Sequence, residues 1–231
     1  MFSFRDSWWL FLLIIVIAQF IYYWLLKKEQ PKKTNLLFLV YSEILVLTGF
    51  LNLLILENGW VINGFLVFWS ILYFFYLEGY FHYLYPNPKA SLFNLKDSIS
   101  YLNLIIVFFL IVTLVNFNIF LDLSWWWIIP LTFIINLFLI HQIFSLEGDE
   151  LKSVWPQVLI IDLLLTELLL ALSFWPVSFY TVAAVYSLAY YWLISFALMS
   201  RRKTINRQTI LKYLALGLII LVLILSTSKW I

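Results

Sequence analysis

Apolar residues fill this chain in eight long blocks, each closed by a short polar cluster. The blocks cover residues 8–26, 35–56, 60–85, 99–121, 125–146, 154–175, 179–200 and 209–228. Each has about the 17–25 residues that a helix needs to cross a hydrocarbon core. The clusters between them are turn punctuation: Glu57-Asn58-Gly59, Pro86-Asn87-Pro88, Asp122-Leu123-Ser124, Glu147-Gly148-Asp149-Glu150, Trp175-Pro176 and Arg201-Arg202-Lys203. The pattern predicts an all-α fold, a polytopic transmembrane helical bundle of eight spans. It forms a single integral membrane domain over residues 1–231, because no linker is long enough to separate one domain from another. The first block is longer than the roughly 7–15 apolar residues of a signal peptide core, and Lys27 and Lys28 follow it instead of a small-residue cleavage site. It is expected to be retained as a helix.

Composition makes lipid the solvent. The chain is 65% hydrophobic and 11% charged, whereas soluble domains average about 25% charged residues. So few charges cannot cover a globular surface, and an integral, multi-pass protein of the cell membrane is expected. There are no cysteines, which excludes disulfides, thiolate metal sites and cysteine nucleophiles. No basic run with interleaved aromatics lies outside the blocks, so no nucleic-acid partner is expected. The lipid bilayer is the one partner the composition implies.

Charge placement predicts orientation. Of the 14 Lys and Arg residues, all but Arg5 and Lys229 fall in or beside the connections after spans one, three, five and seven. The positive-inside rule then puts both termini on the extracytoplasmic side. Tryptophans at the opposite ends (Trp8, Trp9, Trp60, Trp125, Trp126, Trp127, Trp175, Trp230) suit an interfacial aromatic belt. Span seven holds the most small residues, with Ala183 and Ser187 in a small-xxx-small pair. Such pairs let helix backbones approach closely in lipid. Span seven is therefore the expected central helix, and span four or eight the expected lipid-facing one.

A weak internal repeat is visible. Lys33-Thr34 precedes Glu43 by the interval at which Lys152-Ser153 precedes Asp162, and Trp9 leads Gln19 as Trp126 leads Asn136. Residues 1–121 and 122–231 would then be parallel copies of four spans each, a symmetry found in membrane transporters.

The candidate chemistry lies inside the spans. Glu43, Glu78, Asp162 and Glu167 are intramembrane acids, joined by the chain's two histidines, His82 and His141. A carboxylate at mid-membrane costs about 2.5–3.5 kcal/mol, so each needs a partner, a proton or a cation. At about 1.5 Å per residue, Glu43 and Asp162 fall near mid-membrane, and Glu78, His82 and His141 nearer the cytoplasmic face. Glu78 and His82, four apart, share a helix face. Asp162 and Glu167, five apart, diverge by about 140° around theirs.

No Lys or Arg lies deep in a span to neutralise the acids. Three readings follow. Neutral acids could hydrogen-bond between helices in a non-catalytic scaffold or complex subunit. Glu78, His82, His141 and Asp162 could supply oxygen and nitrogen ligands to a metal such as zinc, making an intramembrane hydrolase, although no H-E-x-x-H supports it. The acid and histidine set could instead serve proton- or ion-linked transport of a small solute, since such chains act as proton relays. No cofactor, enzyme class or nucleotide-binding loop is indicated.

Overall fold

A computed structural model describes residues 17, 19–25, 27–28, 36–84, 95–146, 151–202 and 206–228; the side chains of 36–38, 82–84, 95–98, 151–153 and 209 lie outside that description. Several expectations fall outside it too: the outer anchors Arg5, Lys229, Trp8, Trp9 and Trp230, the inner Lys32, Lys33, Lys89 and Lys203, and the side chain of His82.

The described chain is helical apart from short connections. Residues 19–25 of the first block are helical. Seven helices follow: α1 (Leu36–Leu53), α2 (Gly59–Leu84), α3 (Leu95–Leu121), α4 (Trp125–Ser145), α5 (Leu151–Ser173), α6 (Phe179–Arg201) and α7 (Arg207–Thr227). Six of them, α2 to α7, are long and apolar enough to cross a membrane, and α1 adds a shorter apolar stretch, Leu39–Leu53. The protein is thus an apolar helical membrane protein, with no strand among the described residues.

The helices begin where the sequence supplies caps. Asn58 Oδ1 accepts from the Trp60 amide at 2.9 Å. Ser124, Ser178 and Asn206 cap α4, α6 and α7 in the same way. These side chains satisfy amides that a helix start leaves open. Between α3 and α4 the chain reverses within Asp122 to Ser124. Asp122 takes the left-handed φ of 51°, which Asp tolerates better than most residues, and Asn118 Nδ2 holds the turn by donating to the Leu123 carbonyl at 2.8 Å.

Contacts divide the chain into two compact units, Met1–Leu102 and Asn103–Ile231. In the first, α1 packs on α2. The Trp69 indole reaches across to donate to the Leu45 carbonyl at 3.0 Å. Its ring lies over Gly49, in space that a Cβ there would occupy. In the second unit α4 packs along α5, α5 along α6, and α6 along α7. Asn103 ties α3 to α4 by donating to the Leu139 carbonyl (3.1 Å) and Gln142 Oε1 (3.2 Å). Arg201 donates to Gln157 Oε1 at 2.5 Å and lies over the Phe144 ring. It thereby gathers the ends of α4, α5 and α6 at one side.

Two packing expectations divide. Ala183 and Ser187 on α6 are buried and α7 is exposed along most of its length, as the small-residue pattern and the choice of span eight imply. Span four, α3, is not lipid-facing. Val107, Leu110, Ile111 and Leu114 are at most 1% exposed. A uniformly apolar helix reads the same whether protein or lipid surrounds it, so composition could not place it.

Candidate functional site

Most polar side chains inside the spans are satisfied by their own helix. Thr48, Thr113, Thr132 and Thr166 donate to the carbonyl four residues back, each at 2.8 Å. Asn52 and Asn116 do the same through their amides, also at 2.8 Å. Turned back this way, a polar side chain sits in a span without a partner helix. Among the residues that are not satisfied by their own helix, two small sets that each hold an acid stand out, one in each unit.

In the first unit the set is Gln19, Glu43 and Tyr73. Gln19, in the first block, donates its amide to both carboxylate oxygens of Glu43 on α1. Its carbonyl accepts from the Tyr73 hydroxyl on α2 at 2.9 Å. An amide, an acid and a phenol on three successive helices thus close on one another. Glu43 is held by direct hydrogen bonds, the structural role that intramembrane acids can have.

In the second unit the set is Asn136 on α4, Asp162 on α5, and Tyr186 with Tyr190 on α6. All four are at most 1% exposed. Asn136 Nδ2 donates to the Tyr186 hydroxyl at 2.5 Å. Asp162 lies within electrostatic range of Tyr186 and Tyr190. Yet neither Asp162 oxygen has a hydrogen-bond partner among the described residues, and the same holds for Asn136 Oδ1 and the Tyr190 hydroxyl. Buried polar atoms in native proteins are paired in the great majority of cases. Four unpaired buried oxygens near the midpoints of three successive helices are therefore exceptional.

The six candidate residues separate in this light. Asp162 and Glu167 lie on opposite faces of α5, as their spacing predicts: Asp162 is 0% exposed, on the buried stripe of Val158, Ile161, Leu165 and Leu169. Glu167 is exposed, between Leu163, Leu164 and Leu170 on the outer stripe. Glu43 belongs to the closed set. Glu78 is half-buried near the end of α2 in the first unit. His141 is buried in the second unit and stacks on Trp155, ring centroids 4.9 Å apart. Among the described residues no three His, Asp or Glu side chains gather to hold a metal ion. Tyr73, Tyr186 and Tyr190 belong to these sets, although a search of the chain for acids and histidines does not find them. Their signal is position: tyrosines in a membrane protein concentrate at the interfaces, and these three lie near the midpoints of α2 and α6.

Six helices of membrane-spanning length, three of which carry a buried, incompletely paired polar set, fit an apolar helical membrane protein. The chain belongs to the DUF5656 family, described as a protein of unknown function, whose model matches residues 1–227. No curated protein and no solved structure matches it.

Proposed function

We propose that the protein is an eight-span protein of the cell membrane, both termini extracytoplasmic, that couples movement of a small solute to a proton or ion at Asp162. One observation carries the reading: the Asp162 carboxyl is fully enclosed by protein, and neither oxygen is hydrogen-bonded among the described residues. A structural acid needs partners, and Glu43 shows how this chain supplies them. An acid kept in the membrane without partners is retained for what binds it. Glu43, Glu78, His82, His141 and Glu167 are then supporting or peripheral. The hydrolase reading, through Glu78, His82, His141 and Asp162, draws less support, since the described members of that set are not gathered around one point.

The test is flux in liposomes holding the purified protein and a pH-sensitive dye. Imposed proton, sodium and potassium gradients, with candidate solutes added outside, should change dye signal faster than in empty liposomes. Asp162→Asn should abolish the difference, and Glu43→Gln should keep it. Wild-type liposomes that behave like empty ones under every gradient and solute would rule out transport.

A further inference from the structure

The two polar sets correspond to each other. Each has an amide, an acid and a tyrosine on three successive helices. Tyr73 and Tyr190 are separated by the same interval as Gln19 and Asn136. Glu43 and Asp162 differ from that interval by two residues, a difference the connecting segments absorb. Glu43, Tyr73, Asn136, Asp162 and Tyr190 all stand near the midpoints of their helices.

The sets differ in side-chain length. The first uses Gln and Glu, the second Asn and Asp, each one methylene shorter. With C–C bonds of about 1.5 Å, the two shortenings at equal helix spacing withdraw the facing heads by roughly 2.5 Å in total. The longer pair meets in direct hydrogen bonds. The shorter pair makes none, and leaves both Asp162 oxygens, Asn136 Oδ1 and the Tyr190 hydroxyl unpaired among the described residues.

We propose that the second set is an opened copy of the first, and that the opening binds a monovalent alkali cation through Asp162, Asn136 and Tyr190. The unpaired atoms are all oxygens, the ligands of hard cations. Asp162 is the one acid of the set, so a single positive charge balances it. A divalent ion would leave net charge in a low-dielectric interior, which is costly. The amide nitrogen of Asn136 is engaged by Tyr186, which leaves its carbonyl oxygen open as an acceptor among the described residues.

This inference rests on the Asp162 centre of the transport reading but is tested without flux. The full chain in detergent is melted in sodium, potassium, lithium or N-methylglucamine chloride at one ionic strength, at several pH values. Sodium or potassium should raise the melting temperature of wild type by several degrees over N-methylglucamine, and the better of the two identifies the ion. Asp162→Asn should lose the shift. The double variant Asn136→Gln with Asp162→Glu should also lose it while melting at least as high in N-methylglucamine, because the lengthened pair closes as Gln19 and Glu43 do. The reverse double variant, Gln19→Asn with Glu43→Asp, should acquire additional cation dependence. Melting that is equal in all four salts, or that follows pH alone, overturns the cation site; so does a shift that survives Asp162→Asn. Those results leave proton-linked transport to the liposome assay, whereas absent flux with a cation shift present overturns only the transport reading.

Discussion

At the scale of single residues, the same chemistry is structural in one unit and unfinished in the other. Glu43 accepts both of its hydrogen bonds from Gln19. Glu43 is half-buried, so removing its donor costs part of the desolvation of an unpaired acceptor, at most about 1–3 kcal/mol. Gln19→Leu should therefore lower thermal stability clearly, and Gln19→Leu with Glu43→Leu should recover much of the loss. A double variant no more stable than the single one would show that the pair is not coupled. Glu167 gives the opposite expectation. Its carboxyl stands on an exposed apolar stripe, so Glu167→Leu should leave melting in detergent nearly unchanged. A drop of several degrees would mean that the side chain is held by something in the folded protein.

At the scale of elements, helix pairs meet through a large ring set against a glycine. The ring of Trp69 on α2 covers Gly49 on α1, and that of Trp192 on α6 covers Gly217 on α7. Trp69 is fixed by burial and by its bond to Leu45, so it has nowhere to move. Gly49→Ala should destabilise by about 1–3 kcal/mol, the usual cost of overpacking. Gly64→Ala, where a Cβ meets nothing within 4 Å, should be neutral or slightly stabilising, since Gly is the poorer helix former. Equal melting of the two variants would show that the Trp69 contact tolerates extra volume. The packing of α3 makes a related expectation. Leu110→Ala should cost about 2–5 kcal/mol as a buried large-to-small change, whereas a lipid-facing leucine would cost little.

At the scale of the whole molecule, the basic residues should determine topology. A reporter active only in the cytoplasm should work when fused after Lys203 and fail when fused after Ile231, from the bias of Lys and Arg toward alternate connections. Activity at Ile231 would require one span fewer or one more. Length and hydropathy decide which segments enter a bilayer, because insertion depends on the transfer of each segment on its own. The helical membrane fold, the turns at Glu57-Asn58-Gly59 and Asp122-Leu123-Ser124, and the opposed faces of Asp162 and Glu167 were legible in the chain. Which helix faces protein, as α3 does, was decided by tertiary packing, because lipid and protein interiors are equally apolar and leave the same pattern. The difference between Glu43 and Asp162 was decided there too. Two intramembrane acids look alike in sequence, and only the positions of neighbouring helices determine whether an amide comes within hydrogen-bond reach of each.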